Sequence, residues 1–212
     1  YAPVSYLEKI FTEAIQDPDV RALSIATRPD CLGSDVLELL ERLNRIKPVW
    51  VELGLQTIHE ETARFIRRGY SLDVFDRAVA DLRRLGITVI VHVILFLPGE
   101  TEDQMLETID YLNSRDIQGI KLQLLHVLEG TDLAGIYRDH PFHTPDMEEY
   151  IRVLGRCIAR LRPDIAVHRL TGDGPKDLLI APLWTGAKRT VLNRLNQYLK
   201  ENDLWQGKEY YG

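Results

Sequence analysis

Five short stretches carry most of the polar, glycine and proline chemistry that could build a site. They are "TRPDC" (27–31), "LQT" (55–57), "LPGET" (97–101), "HVLEGT" (126–131) and "RLTGDGP" (169–175). Each follows a short apolar run. The guanidinium of Arg28 or Arg68 suits a carboxylate, because its planar fork offers paired donors, and an amide such as Gln56 adds direction. Pro98 and Gly99 turn the chain. His126 and Asp173 are groups that surroundings can tune to move protons. A lone acid, Glu52, sits inside the apolar run "VWVELGL" just before Gln56.

Each stretch also has an ordinary reading. "LPGET" can be only a turn followed by a Thr101 helix cap. Arg28 and Asp30 can be a structural pair, and "GDGP" a tight turn. His92 and Gln123 can be hydrogen-bonded core residues, and Lys121, His126, Arg169 and Asp173 can make structural hydrogen bonds. Five such ends in succession favour one shared site.

The elements that must position these residues alternate. The amphipathic patterns "VSYLEKIFTEAI", "SDVLELLERLNRI", "EETARFIRRG", "SLDVFDRAVADLRRLG", "TEDQMLETIDYLNS" and a segment near 146–162 predict helices. The apolar runs "VRALSIAT", "VWVELGL", "ITVIVHVILFL", "IQGIKLQLLHV" and "IAVHRL" predict strands. Alternation at this spacing predicts parallel βαβ units, and nearly continuous apolar strands predict a sheet covered on both faces. An open doubly wound sheet and a barrel both satisfy the pattern. In both, ligands bind at the carboxyl ends of the strands, where the five stretches fall.

Composition narrows the class. The 212 residues are 45% hydrophobic and 27% charged, which is ordinary for a soluble globular chain. No apolar run approaches the ~20 residues of a membrane span, and the first residues lack the pattern of a signal peptide. The chain does not begin with Met, so it is expected to start inside a longer protein. Cys31 and Cys157 stand far apart without a CxxC, so a reducing cytoplasm is the default. "HPFH" (140–143) lacks a third metal ligand at useful spacing, and no phosphate loop, GxSxG or dinucleotide glycine fingerprint is present. Residues 1–150 hold 15 Lys+Arg against 26 Asp+Glu, a net of −11; residues 151–212 hold 11 against 6, a net of +5. A basic end on an acidic body fits a polyanion partner, and equally a solvated helix with scattered charge.

"TRPDC" (27–31), "WVELGLQT" (50–57), "HVILFLPGE" (92–100), "GIKLQLLHVLEGT" (119–131) and "HRLTGDGP" (168–175) stand in one order. In that order they resemble the radical SAM superfamily, and within it a bacterial family that neighbours the catalytic subunit of elongator. The resemblance covers nearly the whole chain. It implies a partial (β/α)6 TIM-like barrel of parallel strands, with the N-terminal strands before Tyr1 and a C-terminal helical extension. Residues 1–135 would form the core, and 136–212 the last barrel elements and a basic extension. It also implies S-adenosylmethionine (SAM) and a [4Fe–4S] cluster held by three cysteines outside this chain. An electron from a donor such as flavodoxin or ferredoxin would cleave SAM to a 5′-deoxyadenosyl radical.

By that resemblance Gln56 and Arg68, the latter on the next helix, hold the methionine carboxylate, and His92 contacts the ribose. Gly99 and Glu100 lie near the adenosine, Leu125 to Val127 receive the adenine, and Thr27 and Arg28 meet the methionine or the substrate. His126 and Asp173 would be the proton-moving pair, with Lys121 and Arg169 on the substrate. Glu52 would be a buried partner for an arginine. "RRGY" stands where "RGH" is expected, Phe96 where glycine is usual, and Glu129 where a basic residue is usual. The elongator neighbourhood suggests a tRNA wobble uridine as substrate, with Lys188, Arg189, Arg194, Lys200 and Lys208 on phosphates. A small-metabolite radical SAM enzyme, a non-catalytic binding module and an ordinary aldolase-type barrel stay open beside it.

Overall fold

The structure is a computed structural model that describes residues 2–172 and 174–211. Its centre is a five-stranded parallel sheet. The strands are β1 (Leu23–Thr27), β2 (Val49–Gln56), β3 (Thr88–Leu95), β4 (Gly119–Leu124) and β6 (Ala166–Arg169), in the order β1-β2-β3-β4-β6. The helices are α1 (Val4–Gln16), α2 (Ser34–Asn44), α3 (Glu60–Phe65), α4 (Leu72–Arg84), α5 (Glu102–Asn113), α6 (Asp132–Asp139), α7 (Met147–Arg160) and α8 (Lys188–Glu201). Parallel strands joined by helical crossovers send every carboxyl end to the same edge. The five polar stretches therefore share one rim, as an α/β partial barrel requires.

Alternation within each strand sorts the two faces. Val49, Val51, Leu53 and Leu55 of β2 are buried and join a core with Leu39 and Leu43 of α2, Phe75 and Leu82 of α4, and Ile109 of α5. Burying one such side chain is worth about 1.5–3 kcal/mol, so this face holds the helices to the sheet. The other face carries Trp50, Glu52, Gly54 and Gln56 from β2, none of them fully buried. The expected covering of both faces thus holds for one face only. The inner face of the partial barrel is polar: His92 from β3 and Lys121 and Gln123 from β4 lie on it, half-buried.

Local chemistry sets the boundaries. A capping box between Thr101 and Gln104 starts α5, and the Asp146 carboxylate caps α7. α3 ends earlier than its pattern suggests. Arg67 adopts a left-handed φ of 55°, while the amide of Arg68 donates to Ala63 O at 2.9 Å. This is a Schellman-type end with arginine where glycine is usual. Both arginines therefore lie in the turn after the helix and not on it. The single strand expected over "IQGIKLQLLHV" breaks at Leu125. A separate two-stranded antiparallel sheet forms between β5 (Val127–Leu128) and β7 (Leu179–Ala181). With α6 it has its own small core of Val127, Ala134 and Ala181. The sequence pattern signalled neither that small sheet nor α6.

Candidate cofactor and substrate site

A cavity of about 420 Å³ opens at the carboxyl ends of β2, β3 and β4. Gln56, Ile94 and Leu125 reach it from the ends of these three strands, with Arg28 from the end of β1. Arg67, Arg68 and Tyr70 come from the turn after α3, and Leu133 and Ile136 come from α6. One end is thus cationic and amide-bearing, and the outer wall is apolar. Such a shape suits a ligand with a charged head and a flat apolar body.

Gln56 has a left-handed φ of 68°. Its side chain lies back over Gly54, where an added Cβ would sit 2.6 Å from its Nε2. The next strand end repeats the feature: Phe96 has a φ of 60°, with its ring buried and 6.2 Å from that of Tyr150. The backbone there takes the conformation glycine would favour although the residue is Phe. Two non-glycine residues held in this region at neighbouring strand ends mark a strained rim.

Tyr70 organises the cationic end. The guanidiniums of Arg28 and Arg68 each lie 5.1 Å from its ring centroid, and its hydroxyl donates to Gly54 O. Arg28 also makes two bonds to Asp30, at 2.9 and 2.7 Å. Gly69, with a φ of 84°, permits the packing, because an added Cβ would fall 3.0 Å from an Arg28 Nη.

The structure gives Arg68 a different task from the one the resemblance implied. Its side chain is 1% exposed. Nε donates to Tyr70 O at 2.9 Å, Nη1 to Thr57 O at 2.7 Å, and Nη2 to Glu60 Oε1 at 2.8 Å. The fork is committed to the loop around the cavity. It builds the wall and has little left for a ligand.

His92 is likewise placed off the cavity lining. It lies two residues before Ile94 on β3, one layer deeper on the inner face. Its Nε2 lies 2.7 Å from Glu52 Oε2, and the Gln123 amide reaches its Nδ1 at 3.1 Å. Ser24 Oγ donates to Glu52 Oε1 at 2.9 Å, and Lys121 donates to Glu52 Oε2. Glu52 is therefore a partner for a lysine, a histidine and a serine, not for an arginine as expected. Burial pushes its carboxyl up, but the bonds from Lys121, His92 and Ser24 outweigh that and bring it down to about 2. Burial lowers the His92 pKa more than the Glu52 bond raises it.

The other predicted residues fall around this centre. Thr27 ends β1, outside the cavity lining. Gly99 turns the β3–α5 loop with a φ of 87°. Glu100 accepts from Thr57 Oγ1 at 2.5 Å, and burial raises its carboxyl. That bond braces the loop behind the cavity. Val127 is fully buried in the small second core. His126 is half-buried against Gly172 and Gly174; an added Cβ at Gly172 would sit 2.5 Å from its Cε1. Asp173 lies outside the described residues. Arg169 pairs in register with Lys121 and lines a second cleft of about 370 Å³ with His168 and Lys188. The sequence missed Tyr70, Arg67 and the α6 wall. Tyr70 was visible only as a departure from an expected histidine.

The basic C-terminal stretch is largely tied to the acidic body. Arg152 and Arg156 both pair with Glu102, Arg160 with Asp110, and Arg194 with Glu148. Lys208 pairs with Asp203. Lys188, Arg189 and Lys200 are exposed.

Comparison with known proteins settles the family. Residues 3–112 match the radical SAM superfamily, and residues 117–201 match the Radical_SAM C-terminal domain. The chain belongs to the radical SAM superfamily. It is 40% identical to the protein YtqA of Bacillus subtilis over 98% of its own length and 65% of that protein. It is 26% identical to the tRNA uridine(34) acetyltransferase of Methanocaldococcus jannaschii, over 86% of this chain and 33% of that one. The fold matches that of an archaeal Methanocaldococcus infernus Elp3 with an N-terminal deletion, with a TM-score of 0.82 at 18% identity, over 97% of this chain and 52% of that one. The chain thus spans about 65% of the first of these relatives.

The donor set present does not fit an iron–sulfur cluster. Among the described residues no three His, Cys, Asp or Glu side chains are grouped to hold a metal. Cys157 is fully buried in α7, and burial pushes its thiol up to about 12. Among the described residues no helix is long and apolar enough to cross a membrane.

Proposed function

We propose that this chain is the SAM-holding part of a radical SAM enzyme that modifies the wobble uridine of a tRNA. The observation that carries the reading is the cavity at the ends of β2, β3 and β4, cationic at one end and apolar along its wall, in a chain of this superfamily. Gln56 and Arg28 would hold the methionine carboxylate and amino group. Ile94, Leu97, Leu125 and Ile136 would cover the adenosine and exclude water. Arg68 and Glu100 would keep the surrounding loops in place. Bound SAM supplies the 5′-deoxyadenosyl group that starts radical chemistry. The cluster would be held by cysteines of a longer protein, reduced by a flavodoxin or ferredoxin, in the cytoplasm.

The tRNA assignment rests on the relatives named for tRNA uridine(34) and elongator. Lys121 and Arg169 on the inner face, with His126 and Asp173 nearby in sequence to the rim, would face that substrate. The full-length protein, prepared without oxygen and given reductant and SAM, should form 5′-deoxyadenosine. Given tRNA from a strain lacking the gene, it should change the mass of one uridine nucleoside. Formation of 5′-deoxyadenosine with no nucleoside change would move the substrate to a small metabolite. No 5′-deoxyadenosine from a cluster-loaded protein would overturn the enzyme reading.

A further inference from the structure

The outer wall of the cavity is packed apart from the main body. α6 contributes Leu133 and Ile136 to the lining, yet its own buried residue, Ala134, sits in the small core with Val127 and Ala181. The main core between sheet and helices does not include it. Across the opening, Arg67 Nη1 donates to Asp132 Oδ2 at 2.5 Å. Both residues line the cavity, and both side chains are about three-quarters exposed, at 74% and 76%, so the pair lies at the mouth.

Arg67 is an unexpected residue for its backbone. It occupies the left-handed position of the turn after α3, where glycine would be at ease. Helix capping therefore gives no reason for an arginine. The bond to Asp132 does. An exposed ion pair is weak, which suits a tie that must open and close.

We propose that Arg67 is a positioning residue. Through Asp132 it holds α6 closed over the cavity, and ligand enters and leaves by release of that pair. The proposal rests on the reading of the cavity as the SAM pocket.

The test uses the full-length, cluster-loaded protein and S-adenosylhomocysteine as an unreactive probe. Arg67→Gly keeps the backbone conformation, so the melting temperature should hold or rise. Dissociation of the probe should nevertheless become about three- to five-fold faster, the scale of one exposed ion pair. Added KCl should speed release more from the wild type than from R67G, which keeps only the screening of the ligand's own charged contacts. Asp132→Arg should act like R67G, and the combined R67D/D132R exchange should restore slow release. Equal dissociation rates in wild type and R67G would overturn the proposal. If the wild type binds no probe, the SAM reading fails instead. Amide hydrogen exchange over residues 132–139 then decides the latch: faster exchange in R67G supports it, and identical exchange overturns it.

Discussion

His92 and Lys121 meet on the same carboxylate oxygen of Glu52, in the middle of the inner face of the sheet. Three adjacent strands supply these three residues, and β1 adds Ser24 to the other oxygen. A half-buried acid is stable there because its charge is paired and hydrogen-bonded. The arrangement forms a polar floor one layer below the cavity.

That floor has a pH signature. The folded Glu52 carboxyl lies at about 2, below its unfolded value, so the unfolded chain binds the proton first as pH falls. The stabilisation is complete above the unfolded value and is lost as pH drops toward 2. Urea unfolding of wild type should therefore weaken across about pH 5 to 2. Glu52→Gln should flatten that slope. At pH 7 it should cost about 3 kcal/mol, because Lys121 loses its partner. An unchanged slope in E52Q would show that other carboxylates carry the acid sensitivity.

Arg68 offers a separate test. Its fork is buried and bonded to three backbone carbonyls and to Glu60, so Arg68→Lys should destabilise the fold by about 2–4 kcal/mol. Chemical denaturation measures this directly. An R68K protein of wild-type stability that has lost only ligand binding would return Arg68 to the role of a direct ligand.

The fold was largely legible in the sequence because periodicity reports burial. "VWVELGL" and "ITVIVHVILFL" gave β2 and β3 within a residue or two, and the parallel order followed from the intervening helices. The rim was legible because polar and Gly/Pro residues end each strand. The cavity was only partly legible. Gln56, Arg28 and Leu125 lie where the motif order put them, but Arg68 and His92 turned inward to protein partners. Which donors face a ligand depends on three-dimensional competition with carbonyls and carboxylates, such as Thr57 O and Glu52, that spacing does not encode. α6 was missed because it is only eight residues long and buries a single residue, Ala134, so its pattern is too short to stand out between the flanking turns.

Gly69 should resist substitution for two reasons. Its φ of 84° disfavours any side chain, and a Cβ would press on the Arg28 guanidinium at 3.0 Å. Gly69→Ala should cost about 1 kcal/mol from the backbone alone. If Arg28 holds the ligand carboxylate as proposed, probe affinity should fall as well. Denaturation and S-adenosylhomocysteine binding, measured on the same sample, separate the two effects.

Gln56 makes the sharpest case, because stability and binding should move in opposite directions. Its left-handed backbone is strained for a residue with a side chain, and its amide lines the cavity. Gln56→Gly removes the strain and the amide together. The fold should become more stable by up to about 1 kcal/mol, the scale for relieving a left-handed residue. Loss of one hydrogen bond to a charged group should weaken the probe by about ten-fold. Gln56→Ala removes the amide but keeps the strain, so it should bind as poorly as Q56G without the gain in stability. A Q56G protein that binds as tightly as wild type would remove Gln56 from the ligand's contacts. A Q56G protein that is also less stable would show that the amide serves the fold, through its packing over Gly54.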